Sequence, residues 1–387
     1  MVAEISRLIF YFLTGLPVVL FVFYGAIIVY FNKRQIGITR DSAPVSNGEN
    51  NFKPLVSVVV ATHNEEKIIS KKIDNVLSSD YPANKLEIIF VDDSNDSTPK
   101  IISSAAEKSS NIRLLRFDKR MGYSPSMLAG CRAARGEIVV LNDAGSFIDT
   151  HAITRIVGRF QDAKIGVVTG TDVILNVDEE AGRSESLYEK LLNFLRTSET
   201  NMGSTFFIKG EATGVRKIVL DNIEDANETF DTTTGLYARQ KGYKVVYDPE
   251  VKYYEYAPDS RSGTIKQKTI RAANLIKVLW RFRTMMFNRK YGKYGSLTLP
   301  FNFASLTILP VYIVFWFVSF FALTFFDVGF FVYVWVVLGI AVLLVFIFSR
   351  RLLFTFLQIE YSLLKAIFQV LAKKSFDKIE LVASTRR

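Results

Sequence analysis

Three short runs of β-branched and apolar residues, each ending in polar or acidic side chains, constrain this chain more than any other feature. Val56-Ser57-Val58-Val59-Val60-Ala61-Thr62 leads into His63-Asn64-Glu65-Glu66. Leu86-Glu87-Ile88-Ile89-Phe90-Val91 closes on Asp92-Asp93, and Glu137-Ile138-Val139-Val140-Leu141-Asn142 closes on Asp143. A helix-like stretch follows each run, the pattern of a parallel sheet. In open sheets of that kind, ligands bind beyond the carboxyl ends of the strands. The sequence therefore predicts one edge that collects Asn64, Glu65, Asp92, Asp93 and Asp143 as a site.

The same three segments, VSVVVATHNEE, VDDSNDST and GEIVVLNDAGS, resemble the opening half of an inverting nucleotide-sugar glycosyltransferase of family 2. That family includes cellulose, chitin and hyaluronan synthases and polyprenyl-phosphate sugar transferases. The resemblance runs from about Val56 to about Asn274. It implies an α/β chain: a GT-A, Rossmann-like, mainly parallel sheet in a cytoplasmic domain, plus transmembrane helices. The other reading of the strands is a generic doubly wound nucleotide-binding domain.

Hydropathy sets the surroundings. Leu8 to Tyr30 is an apolar run interrupted only by Gly15, Pro17 and Gly25, and about 20 residues suffice to cross a bilayer. It exceeds a usual signal-peptide core and lacks a clear small-residue cleavage site, which favours a retained anchor. Phe303 to Phe326 and Val328 to Phe348 are nearly uncharged, with Asp327 as the tight loop between them. Lipid offers no partner to a bare backbone, so these segments must be helices, the first kinked at Pro310. Lys33, Arg34 and Arg40 follow the first run, Lys290 and Lys293 precede the second, and Arg350 and Arg351 follow the third. All fall on one side, which puts the central domain in the cytoplasm of a multi-pass membrane protein.

The expected organisation is an anchor over 1–32, a linker over 33–54, the GT-A domain over 55–274 and an interfacial amphipathic helix over 275–296. A transmembrane hairpin then spans 303–348. Residues 352–387 read as an interfacial helix or a further span, ending in a tail with Lys373, Lys374, Lys378, Arg386 and Arg387.

The net charge of +10 (48 basic against 38 acidic residues) lies mostly beside the apolar runs, suiting anionic lipid headgroups. No basic stripe interleaved with aromatics occurs in the central domain, which argues against nucleic acid as a partner. A single cysteine, Cys131, excludes an intramolecular disulfide, and with only two histidines a zinc site is not expected.

The resemblance implies roles residue by residue. Thr62, Asn64 and Glu65 line the nucleoside pocket of a UDP- or GDP-linked sugar, and Asp93, with Asp92 beside it, contacts the base. The structural alternative for Asp92 is a cap or turn role, with Asp96 and Ser97 better placed as caps. Mg²⁺ or Mn²⁺ is normally held by Asp-x-Asp; here the stretch is Asp143-Ala144-Gly145, so only Asp143 is offered, with Asn142 or Asp149 as helpers and Asp149 better read as a helix cap. At Tyr123, relatives usually carry Lys, leaving Lys119 or Arg120 as substitute cations. Asp231 lies 11 residues before Gly242-Tyr243, the family spacing of the general base, with Phe230 as an apolar neighbour able to raise its pKa. The alternative is a cap for a helix over Thr232–Lys241.

Lys209 to Arg216 resembles the glycine-containing acceptor-pocket strand. Tyr188 to Ser204, with Arg196 and Glu199, resembles the helix before it or a solvated helix face. Gln267, Lys268 and Arg271 stand where processive synthases carry Gln-x-x-Arg-Trp, but the spacing differs and Ala272 replaces Trp; Lys268 and Arg271 still offer cations for a diphosphate. The function read from this is a membrane-bound transferase acting on a lipid-linked or growing glycan acceptor. The competing reading is a GT-A-fold scaffold that has lost catalysis.

Overall fold

The computed structural model describes residues 1–33, 52–221, 223, 229–257 and 261–372. Most of the expected linker and the basic tail beyond 372 lie outside the described residues.

In chain order the elements are α1 (Val2–Lys33), β1 (Val56–Thr62), α2 (Ile69–Leu77), β2 (Leu86–Asp92), α3 (Thr98–Lys108), β3 (Ile112–Arg116), α4 (Tyr123–Ala133), β4 (Ile138–Asp143), β5 (Phe147–Ile148) and α5 (Ala152–Arg159). They continue with β6 (Ile165–Ile174), α6 (Glu180–Met202), β7 (Thr213–Arg216), α7 (Lys217–Leu220), α8 (Phe230–Gln240), β8 (Lys244–Glu255) and α9 (Arg261–Arg281). Two long apolar helices follow, α10 (Tyr294–Thr324) and α11 (Val328–Leu371).

The eight strands form one mixed sheet in the order β3-β2-β1-β4-β7-β6-β8-β5. The three expected strands are its parallel centre, and β7 runs antiparallel between β4 and β6. Register decides the site: Thr62 pairs with Asp92, Asp92 with Arg116, and Ala61 with Asp143. The carboxyl ends of four strands are therefore level. Alternate residues feed two cores. Val58, Val60, Ile88, Phe90 and Val140 pack under α2, α3 and α5; Val59, Ile89, Val91, Val139 and Leu141 pack under α4, α7 and α8. Burial on both faces explains the near-continuous apolar runs.

Three helices are long and apolar enough to cross a membrane: Val2–Lys33, Tyr294–Thr324 and Val328–Ile347. Phe10, Phe320 and Phe331 bury one another where they meet. At that end Arg7 Nε pairs with Asp327 Oδ2 at 2.6 Å, fixing the start of α1 to the hairpin loop. The hairpin begins at Tyr294 rather than Phe303, because the uncharged stretch already starts there, directly after Lys293. Its π-helical turns, Tyr294–Thr298 and Ala304–Ile308, directly precede segments carrying Pro300 and Pro310. Widening the helix there accommodates a residue without an N–H.

One segment expectation is corrected. Residues 275–296 are not one amphipathic helix: α9 starts at Arg261 and stops at Arg281, and Phe282, Met285 and Tyr294 fold back onto Phe206 and Leu236. Residues 352–371 do form a helix of their own, set off from the apolar first part of α11 by the non-helical Ser349 (φ −148°, ψ 40°), and they lay Ala366 on Ala273 and Ile276 of α9.

Nor are Arg196 and Glu199 a solvated face, since each is only 1 % exposed. Arg196 donates to Glu189 at 3.3 Å and Asn193 at 2.7 Å. Glu199 accepts from Phe206 N and Thr205 Oγ1 at 2.9 Å, Asn302 Nδ2 at 2.8 Å and Tyr24 Oη at 3.4 Å. One buried carboxylate thus ties the sheet domain to two apolar helices.

Candidate active site

The level strand ends bring the sequence-selected residues together, but with different orientations. Asp92 is fully buried, and its carboxylate is enclosed by Thr62 Oγ1 at 2.8 Å, Ser94 Oγ at 2.5 Å and Arg116 Nη1 at 2.9 Å. This corrects its reading as a ligand: Asp92 braces the strand ends, with Thr62 as one of its donors. Asp93 Oδ1 meets His63 Nδ1 at 2.7 Å, while Oδ2 accepts from Met121 N at 2.7 Å and Gly122 N at 3.3 Å. Asp93 is therefore buried beneath the strand-end loops and pins the loop entering α4. Gly122 supports that entry at φ 92°, a conformation open mainly to glycine.

Asn64 is exposed at φ 57°, which its short polar side chain tolerates; its carbonyl accepts from Asn95 N at 2.9 Å. Glu65 is buried, with its backbone N–H donating to Thr98 Oγ1 at 2.8 Å. Ser97 occupies the cap position of α3 without a side-chain cap bond, and the preceding Asp96 accepts from Thr98 N at 3.0 Å. The cap position of α5 is His151, and Asp149 lies two residues before it, accepting from His151 N at 3.1 Å and Arg155 Nη1 at 3.3 Å.

The second half of the site comes from elements distant in sequence. Asp143 ends β4, and the preceding Asn142 donates its side-chain amide to the carbonyl of Glu211, drawing the turn Gly210–Ala212 against the strand end. Asp231 sits in the first turn of α8, its Oδ1 accepting from Thr232 N at 2.7 Å. The helix is Phe230–Gln240, so Asp231 lies inside it rather than before it. Between these groups stands Tyr123, whose hydroxyl hydrogen-bonds Asp143. A Cβ on Gly210 would lie 2.5 Å from that hydroxyl and 3.9 Å from the Asp231 Cβ; glycine is what lets the phenol and the acid share the space. The Lys209–Arg216 segment thus approaches closely at Gly210, as its glycines suggest.

Electrostatics follow from this crowding. Burial, then the charges of Glu211 and Asp143, push the Asp231 carboxyl up to about 7, against the Thr232 N–H and Arg271. Burial also raises the Tyr123 phenol, as do Asp143, Asp231 and Glu211. For Arg271 burial opposes the charge, but Glu211, Glu255, Asp143 and Asp231 outweigh it and hold the guanidinium charged. Arg271 is therefore the cation of the cluster. Lys268 is not: it pairs with Glu185 at 3.0 Å and lies over the Tyr188 ring. The Gln267 side chain lies outside the described residues. Lys209 is likewise committed, to Asp172 at 2.9 Å and Glu189 at 2.8 Å.

Sequence reasoning missed Glu211, Glu255 and His63, and it treated Tyr123 only as a missing lysine. Spacing alone carries no signal for Glu211 and Glu255, whose neighbouring strands are placed by pairing across the sheet, whereas His63 follows directly on β1 and Tyr123 opens α4.

Residues 57–223 match the family model described as Glycosyl transferase family 2. Those residues carry a glycosyltransferase family 2 domain. This glycosyltransferase is 27 % identical over 315 residues to the poly-beta-1,6-N-acetyl-D-glucosamine synthase of Staphylococcus aureus (strain COL), covering 79 % of this chain and 74 % of that one. It is 27 % identical over 208 residues to the beta-monoglucosyldiacylglycerol synthase of Nostoc sp., covering 51 % of this chain and 44 % of that protein. Among solved structures, the mannosyltransferase PcManGT from Pyrobaculum calidifontis, in complex with GDP-Man and Mn2+, superposes with a TM-score of 0.72 at 19 % identity. That match covers 97 % of this chain and all of the other, and it establishes the glycosyltransferase as GT-A in fold.

Proposed function

We propose that this glycosyltransferase, held in a membrane with its sheet domain in the cytoplasm, moves a sugar with inversion from a UDP- or GDP-linked donor to a lipid-linked or growing glycan acceptor. The observation that carries the reading is Asp231, a carboxyl enclosed beside Asp143, Glu211 and Arg271 with its pKa pushed up to about 7. A base works best when its pKa lies near the working pH. Asp231 takes the proton of the acceptor hydroxyl while that oxygen bonds to the anomeric carbon. The bond from that carbon to the diphosphate breaks on the opposite face, and the diphosphate leaves with the electron pair, met by Arg271. Asn64 at the surface, with the buried Asp93 behind it, holds the nucleoside.

A divalent cation fits in a limited way. Among the described residues no three His, Cys, Asp or Glu side chains converge into a metal cage. The site does offer oxygen donors, Asp143 and the Oε2 of Glu211, which is buried without a hydrogen-bond partner. Such hard oxygens suit Mg²⁺ or Mn²⁺ held chiefly by phosphates and water. Asp143, with Glu211, would hold it, and the ion would offset charge on the departing diphosphate, consistent with the Mn2+ of the Pyrobaculum relative.

The direct test is to incubate the purified chain with a panel of UDP- and GDP-sugars, with and without Mn²⁺, and measure released nucleoside diphosphate. No release with any donor would leave the scaffold reading standing. The metal assignment has its own readout. Asp143→Ala should weaken Mn²⁺ binding, measured by calorimetry with nucleoside diphosphate present, by at least about tenfold, and Gly145→Asp should tighten it. Unchanged affinity in both would remove Asp143 from the metal.

The pH profile checks the base. Activity requires ionised Asp231, so kcat/KM should rise with pH through a limb near 7. Glu211→Gln removes a charge that raises this pKa and should move the limb to lower pH. Arg271→Gln removes one that lowers it and should move the limb upward. A limb that ignores both substitutions would belong to another group.

A further inference from the structure

A cavity of about 370 Å³ lies away from the catalytic cluster, lined by Val177, Arg183, Ser186, Leu187, Lys190 and Arg351. Its cations come from two elements, Arg183 and Lys190 from α6 and Arg351 from α11. None of the three forms an ion pair with an acid among the described residues; Arg183 donates to the backbone carbonyl of Asp178 at 2.6 Å. No acidic side chain lines the cavity among the described residues.

Its level relative to the bilayer is set by α11. The apolar stretch Val328–Ile347 ends just before the bend at Ser349, and Arg351 follows that bend directly. α6 lies alongside the inner end of α1, where Asn201 Nδ2 donates to Phe31 O at 3.0 Å and Asn32 Nδ2 to Ser198 Oγ at 3.2 Å. The cavity thus opens where the apolar helices end and charged chain begins. Val177 and Leu187 give apolar wall beside the three cations.

We propose that this cavity is a binding site for the phosphate of an anionic phospholipid, with Arg183, Lys190 and Arg351 meeting the headgroup and Val177 and Leu187 flanking the roots of its acyl chains. Clustered cations at the cytoplasmic surface attract such headgroups, and guanidinium groups suit phosphate oxygens in paired hydrogen bonds. The site rests on the proposed membrane placement but not on glycosyl transfer. Its other α6 face is turned inward, where Glu189 and Glu185 hold Lys209 and Lys268, so an occupied cavity also steadies the helix that backs the catalytic cluster.

The test uses native mass spectrometry of the full chain in detergent, without nucleotide sugar, incubated with phosphatidylglycerol, phosphatidylcholine or inorganic phosphate. The expected result is one retained phosphatidylglycerol in preference to phosphatidylcholine, reduced roughly tenfold or more in an Arg183→Gln, Lys190→Gln, Arg351→Gln variant. Arg351→Glu alone, an exposed change in case the triple variant fails to fold, should give the same direction. Equal retention of both lipids, or unchanged retention in Arg351→Glu, overturns the site. Displacement of the lipid by inorganic phosphate at equal concentration overturns the lipid as its ligand. Because no donor is present, these outcomes are independent of whether sugar transfer is detected.

Discussion

Asp231→Asn lowers turnover by about 10²–10⁴-fold, the usual contribution of a positioned base, while nucleoside diphosphate affinity measured by calorimetry stays within about twofold of the unsubstituted chain. The amide keeps the size of the side chain and the bond from Thr232 N, so helix α8 should be undisturbed. What is lost is the proton acceptor enclosed by Asp143, Glu211 and Arg271. A variant that retained a substantial rate would make Asp231 a first-turn residue of α8 and nothing more. A variant that lost rate and nucleotide affinity together would place it against the donor instead of the acceptor.

Glu199→Ala has the largest expected effect on stability. Its carboxylate accepts from Phe206 N, Thr205 Oγ1, Asn302 Nδ2 and Tyr24 Oη, and burial raises its pKa against the combined pull of these donors. Each buried donor left without an acceptor costs about 1–3 kcal/mol. Loss of several at once should destabilise by on the order of 3 kcal/mol or more, read as a lower melting temperature of the full chain in detergent. Glu199→Gln keeps an acceptor and should lose much less. Equal melting temperatures for Glu199→Ala and the unsubstituted chain would mean that this junction contributes nothing to holding the apolar helices against the sheet domain.

The strand centres were legible because burial on both faces leaves a one-dimensional trace: Val58 to Val60, Ile88 to Val91 and Val139 to Leu141 are apolar without a break. Their acidic ends were legible because two of the apolar runs stop at carboxylates, Asp92-Asp93 and Asp143. Helix boundaries were less so. Residues 261–281 carry an apolar face against α11 and another against Phe206 and Leu236, and two such faces blur the single-stripe pattern of a surface helix. The Arg196 and Glu199 charges misled in the same way, because a charged residue on a helix reads as solvated until its partners are known.

The sequence by itself determined the parallel sheet centre, the apolar helices and the identity of Asp93, Asp143 and Asp231 as acids at strand and helix ends, because these depend on local pattern and spacing. Only the tertiary structure decided which acids face the cleft. Pairing of β1, β2 and β3 turned Asp92 inward onto Thr62, Ser94 and Arg116, and β7 running back beside β4 set Gly210 and Glu211 against Asp143 and Tyr123. Which of two adjacent buried carboxylates meets arginine and which meets histidine and the loop entering α4 is fixed by contacts between segments far apart in the chain. Local periodicity cannot encode that, whereas the packed sheet does.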